Sequence, residues 1–290
     1  LMATEHYLAS PTASTRSLLA WDPKNPKSPA FIVKTSLAKQ QDGLGRVIPD
    51  WEVRRSVMIS KLTAMTPQQE WLDNGTYIIP EVFGAYVPES LGLGFKVDAE
   101  QGMIYQHGFI VRDLSFLSLF EKEREIYPLF SIFTARPVGE PLIVEWWKAS
   151  GVADFHDYLE TNIIKPFIEK TGYLFFEQGI VPEVHSQNVL IAMNPKTHKI
   201  ETVLHRDVGS MKVDLRLRLA KGRAIDPLKS GNASFDFKFK RATKLYQENI
   251  MDYFFDMTFT MDPTMGYGVA LKKAVPSYDS RKIRARINAE

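Results

Sequence analysis

The feature that most limits what this chain can fold into is a pair of apolar runs rich in branched residues, Val189-Leu190-Ile191-Ala192-Met193 and Ile200-Glu201-Thr202-Val203-Leu204. Between them stands Asn194-Pro195-Lys196-Thr197-His198-Lys199. Two short apolar runs joined by a polar segment that opens on Asn-Pro predict a β-hairpin. Folding it back sets Asn188, just before the first strand, beside Asp207, just after the second. An amide and a carboxylate oxygen at one end of a hairpin make a hard-oxygen site of the kind that holds Mg²⁺ together with substrate phosphates. Ahead of Asn188, Glu183, His185 and Gln187 occupy alternate positions and point to one side if the segment is extended, which makes Glu183 a third candidate metal ligand.

Taken singly, Asn188 and Asp207 read as turn residues and His185 as a hydrogen-bonded loop histidine. At this joint spacing the functional reading is the stronger. Protein kinases hold magnesium with an Asn and Asp pair, but no catalytic Asp lies in this loop.

The 290 residues are 44% apolar and 24% charged, enough for one large or two modest globular domains. A net charge of +2 gives no reason to expect nucleic acid or a membrane surface as partner. The ten Lys and Arg against four acids in residues 212–248 read as a solvated basic face, with a polyanion pocket as the alternative. The absence of cysteine excludes a disulfide scaffold, thiol catalysis and a cysteine-held metal. No run approaches the roughly 18 apolar residues of a membrane span, and a cytoplasmic location is expected.

Earlier in the chain, residues 6–19 form a Ser/Thr-rich loop in which Ser14, Thr15 and Arg16 offer hydroxyls, backbone N–H groups and a guanidinium to phosphate oxygens. Residues 31–37 read as a buried strand carrying Lys34, which is costly there unless its ammonium reaches an anion; the alternative is a lysine snorkelling from an edge strand. Arg46 follows in a Gly-rich turn. Residues 51–65 have a helical rhythm with Arg54 and Arg55 on the solvated face, Arg55 being a reserve anion ligand. Residues 76–87, 102–114 and 129–135 are strand-like, as is the alternation in 212–218 and 234–239. Asp154 is placed to cap a helix with an apolar face through Phe155, Tyr158, Leu159, Ile163 and Phe167, kinked at Pro166. Residues 240–256 have helical spacing, and the basic residues 281–286 read as a solvated terminus.

Glu183-x-His185-x-Gln187-Asn188, followed after a hairpin by Arg206-Asp207-x-Gly209, resembles the signature of the peptide-synthetase-independent siderophore synthetases, the aerobactin-synthetase family. The resemblance implies an ATP- and Mg²⁺-dependent ligase of iron acquisition. Such a ligase adenylates a carboxylate of citrate or a related polyacid and passes the acyl group to an amine or alcohol. It implies an α+β fold, with an antiparallel fingers sheet in 1–115 and a mixed palm carrying the Asn/Asp hairpin in 116–290. Ser14, Thr15, Arg16, Lys34 and Arg46 match in type and order the groups that contact the nucleotide and the carboxylate. His185 and Gln187 would orient phosphate or acyl oxygens, and His185, Arg46 and Lys34 would be catalytic. Residues 21–29 depart from the pattern as a longer insertion. Family members carry a long part ahead of the Ser-Thr-Arg loop, so a fragment is expected, with a homodimer left open. A kinase-like phosphotransferase using His185 as base, and a non-catalytic nucleotide-binding remnant, are the alternatives.

Overall fold

The structure is a computed structural model that describes residues 7–12, 16–25, 31–36, 40–41, 44–45, 47–87, 95–98, 103–106, 108–116, 124–226, 246–260 and 266–289. Strands β1 (Leu8–Pro11), β2 (Ser17–Trp21) and β3 (Phe31–Thr35) form a meander, followed by a small hairpin of β4 (Gln40–Gln41) and β5 (Leu44–Gly45). Helices α1 (Asp50–Thr63) and α2 (Gln68–Asp73) come next, then β6 (Thr76–Ile78), β7 (Glu81–Tyr86), the hairpin β8 (Phe95–Asp98) and β9 (Met103–Gln106), and β10 (Gly108–Asp113). The first sheet has the order β1-β2-β3-β10-β7 and is antiparallel throughout.

Residues 76–87, read as one strand, form two strands in two different sheets. Pro80 has no N–H to continue a ladder. The Ile79 N–H binds the His205 carbonyl at 2.8 Å, and the Pro80 carbonyl accepts the Asp113 N–H at 3.1 Å, so the chain crosses from one sheet to the other at that point.

The second half supplies β11 (Glu125–Pro128), α3 (Leu142–Ser150), α4 (Phe155–Leu159), α5 (Lys165–Phe176), β12 (Ile180–Val181), β13 (Val189–Met193), β14 (Ile200–His205), β15 (Lys212–Val213) and α6 (Leu215–Ala220). The second sheet has the order β11-β13-β14-β6, antiparallel except for the parallel pair of β14 with β6. An antiparallel sheet and a mixed sheet with helices are the α+β architecture expected. The predicted hairpin is β13–β14, with Val189 opposite His205. Its turn is held by Asn194, whose side-chain oxygen accepts the Lys196 and Thr197 N–H groups, as an Asx turn does.

Several local expectations are corrected. Only residues 125–128 of the region near 129–135 are a strand; Leu129–Ile132 is a 3₁₀ turn. Asp214 accepts the Leu217 N–H at 2.9 Å and starts α6, which ends the strand after Lys212–Val213. Asp154 caps α4 as expected, and a π-helical turn at Glu160–Ile164 precedes Pro166, which stands in the first turn of α5. The basic terminus is a helix, Ser280–Ala289, whose Ile283 and Ile287 are buried in the main core. Residues 234–239 lie outside the described residues.

That main core gathers Phe155, Tyr158, Phe167, Val189, Val203 and Phe254 between the helices and the second sheet. A second cluster, with Ile59, Leu62, Trp71, Ile180 and Val208, joins α1 and α2 to the β12–β15 pair. Helix α1 also covers one face of the first sheet so closely that a Cβ on Gly84 would stand 2.7 Å from Val53 Cγ1. This close helix–sheet contact decides where the charged residues of that face can go.

Candidate active site

Cross-strand partners share a sheet face, as do residues two apart on one strand. Lys34 pairs with Ile110 and Arg112 with Ile32, so both cations stand on the inner face, the one α1 covers. The charges are placed rather than expelled, because each finds carboxylates. Lys34 Nζ lies 2.9 Å from Glu52 Oε1 on α1 and 3.0 Å from Asp207 Oδ1. Arg112 Nε donates to Glu81 Oε1 at 2.9 Å, and its terminal nitrogen donates to the same Asp207 oxygen. The Arg112 and Glu81 side chains are 1% exposed, Lys34 8% and Asp207 25%, so the cluster is sealed at one end and open at Asp207.

Asp207 is aimed by its backbone. It adopts a left-handed conformation with φ of 63°, which Asp tolerates better than most residues, and its carbonyl accepts the Ser210 hydroxyl at 2.9 Å. The following turn packs on α1, where a Cβ at Gly209 would meet Ser56 Oγ at 2.6 Å. Both cation contacts fall on Oδ1. Across the hairpin mouth, Asn188 is buried, its carbonyl accepting the Arg206 N–H at 2.9 Å and its own N–H reaching the His185 carbonyl at 2.8 Å. Asn188 and Asp207 therefore stand at the same end of the hairpin. Residues 185–188 form a turn rather than an extended strand, yet Glu183 and His185 are half-buried and Gln187 exposed, while Val184, Ser186 and Asn188 between them are buried.

Burial raises the Glu183 carboxyl above its ordinary value, against the nearby Ser210 hydroxyl and the charges of Lys212, Arg55 and Lys34. Burial, with Arg206 nearby, pulls His185 down to about 4, so its imidazole is neutral at pH 7. The Lys34 ammonium is lowered by burial, with Glu52 and Glu81 opposing and Arg112 and Arg16 adding to the shift. Arg206 falls to about 10 through burial and the charge of Arg112. Arg16 belongs to the same field; its guanidinium donates to the Val47 carbonyl at 3.0 Å and its carbonyl accepts the Thr35 N–H at 2.9 Å. Ser14, Thr15 and Arg46 lie outside the described residues. Arg54 is exposed and pairs with Asp50, as a solvated arginine should. Arg55 is half-buried rather than on the solvated face, and donates to the Met211 carbonyl at 2.6 Å.

Among the described residues no group of three or more His, Cys, Asp or Glu side chains is set to hold a metal. An all-protein cage is therefore a poor description of the site. One amide and one carboxylate at the hairpin end fit Mg²⁺, which binds through few protein ligands. Sequence reasoning missed Glu52, Glu81 and Arg112. Arg112 carried the same signal as Lys34, a charge inside an apolar strand, whereas Glu52 and Glu81 look like an ordinary first-turn acid and an ordinary strand start.

Petrobactin biosynthesis protein AsbB from Bacillus anthracis superposes with a TM-score of 0.66 at 19% identity over 93% of this chain. The fold is that of the siderophore synthetases. Aerobactin synthetase IucA from a hypervirulent pathotype of Klebsiella pneumoniae matches at 0.59 with 20% identity over 97% of the chain, and its ATP-bound form at 0.59 with 17% identity over 94%. At such identities the likeness is one of fold. The chain spans 43% of the AsbB chain and 45% and 46% of the two IucA chains, less than half of each. No protein-family model matches the sequence, and no curated protein does. No helix of the described residues is long and apolar enough to cross a membrane.

Proposed function

We propose that this chain is the fingers (1–115) and palm (116–290) portion of an ATP-dependent siderophore synthetase, with β6 (Thr76–Ile78) tying the two parts together through the palm sheet. It adenylates a carboxylate of citrate or a related polyacid and condenses it with an amine or alcohol. The observation that carries this reading is the joint placement of Lys34 and Arg112 on Asp207, at the hairpin end that also bears Asn188.

In the first step a carboxylate oxygen bonds to the α-phosphorus of ATP and the bond to pyrophosphate breaks. In the second, the nitrogen or oxygen nucleophile attacks the acyl carbon, loses its proton, and AMP departs. Charge builds on phosphate oxygens in both steps, so preorganised cations supply most of the acceleration available to the protein. Lys34 and Arg112 can turn toward phosphate because Glu52 and Glu81 continue to orient them when Asp207 is otherwise engaged. Arg16, Arg46 and the hydroxyls of Ser14 and Thr15 hold further anionic oxygens. Asn188 and Asp207, with Glu183, would hold Mg²⁺, which supplies charge neutralisation on the phosphates. Neutral His185 and Gln187 orient oxygens by hydrogen bonding.

A phosphotransferase reading needs His185 as base, and a pKa of about 4 makes it a weak one at neutral pH. The deciding experiment measures nucleotide products with ATP, Mg²⁺, citrate and a primary amine. AMP with pyrophosphate supports the synthetase and ADP the phosphotransferase. ATP binding without turnover leaves a nucleotide-binding portion, and no Mg²⁺-dependent ATP binding at all overturns the site.

A further inference from the structure

A cavity of about 400 Å³ opens between the end of α1, the start of α2, β6 and the segment after β10. Its walls include the rings of Trp71, Tyr77 and Phe116, with Tyr77 and Phe116 stacked at 4.6 Å. Trp71 and Phe116 are each 4% exposed and so are held in place by packing. The volume is in the lower range for small-molecule sites. Among the described residues no Lys, Arg, Asp, Glu or His lines it. Phosphates and polycarboxylates therefore find no counter-charge on these walls, which are chemically unlike the Asp207 site.

The hydroxyls on its walls narrow the ligand further. Thr63 donates its hydroxyl hydrogen to the Ser60 carbonyl at 2.9 Å, Thr66 to Gln178 Oε1 at 3.1 Å, and Ser115 to Asp113 Oδ2 at 2.8 Å. With their hydrogens committed, the Thr63 and Thr66 oxygens can only accept from a ligand. We infer that the cavity is a second binding site, for a small neutral aromatic molecule that carries an O–H or N–H donor. The ring would lie against Trp71, Tyr77 and Phe116, and the donor would meet a Thr oxygen. Ser60, on its wall, accepts the Glu81 N–H at 2.8 Å, so the cavity lies one hydrogen bond behind the Glu81–Arg112 pair.

Calorimetric titration of the full chain with phenol tests this, with anisole as the ring lacking a donor and benzoate as the charged ring. Phenol should bind saturably, anisole about tenfold more weakly for the loss of one hydrogen bond in a desolvated site, and benzoate not measurably. Ala64→Trp and Ser115→Phe, both at exposed positions on the cavity wall, should each abolish phenol binding while leaving the melting temperature unchanged. Failure of phenol to bind, equal binding of phenol and anisole, or phenol binding retained in both folded variants overturns the inference. ATP binding is not part of the readout, so the result stands apart from the proposed synthetase activity.

Discussion

Replacing Arg112 with Met removes the charge that makes Glu81 tolerable. Both side chains are 1% exposed and bond at 2.9 Å, and Arg112 also reaches Asp207. Breaking a buried pair from one side leaves an uncompensated charge and costs about 3–5 kcal/mol. At about 2–4 °C per kcal/mol for a large domain, the melting temperature should fall by roughly 6–20 °C. The loss has a pH signature. Burial by itself would raise the Glu81 carboxyl, but Arg112 and Lys34 hold it below the ordinary 4.5. In the wild type its stabilisation is present above pH 4.5 and is lost as pH falls through the lowered folded value. Without Arg112, burial dominates and the folded value rises above 4.5. Stability of the variant then declines as pH rises through that value, because the unfolded chain releases the proton more readily. Denaturant unfolding from pH 4.5 to 7 should therefore show the gap between wild type and Arg112→Met widening with pH. The double variant Glu81→Gln with Arg112→Met should recover much of it. A gap below about 1 kcal/mol, or one that narrows as pH rises, would refute the account of a charge pair sealed under α1.

Asp207→Asn keeps a residue suited to the left-handed backbone but removes the carboxylate, so calorimetry should show ATP binding that no longer depends on Mg²⁺, in a protein that melts cooperatively. His205 is fully buried with neither ring nitrogen bonded, and burial pushes it down to about 3. Its folded value is depressed, so the wild type should lose about 1.4 kcal/mol per pH unit once pH is well below 6.5. His205→Leu should be flatter over that window and more stable by about 1–3 kcal/mol, read by urea unfolding. Gly209→Ala places a Cβ 2.6 Å from Ser56 Oγ and 3.1 Å from Glu52 Cγ. It should cost about 1–3 kcal/mol in the same assay and weaken ATP binding by displacing Asp207.

The readable parts of this chain are those whose cause is local. The 189–204 hairpin was legible because two runs of branched apolar residues and an Asn-Pro turn act over a dozen residues, and helix α4 because Asp154 bonds the N–H groups of the next turn. Lys34 stood out because a charge in an apolar strand must be answered somewhere. The misread parts are those where a distant partner overrules a local preference. Residues 76–78 are a strand of the second sheet because β14 lies beside them, while Glu81 turns to β10 across Pro80. Arg55 looked solvated until the 208–211 turn folded over it.

The sequence by itself determined that a hydrogen-bonding Asn and an Asp would meet at one hairpin end, that lone charges in apolar strands would seek anions, and which segments were amphipathic. Periodicity, turn chemistry and the cost of burying charge are properties of neighbouring residues. Only the tertiary structure decided which anions answer those charges. Glu52 reaches Lys34 because α1 lies across the first sheet at Gly84, and Glu81 reaches Arg112 because the chain changes sheets at Pro80. Those contacts join positions 18 and 31 residues apart, and Asp207 lies 173 residues from Lys34. A local pattern carries no record of separations like these, since they are set by which apolar faces must be covered together.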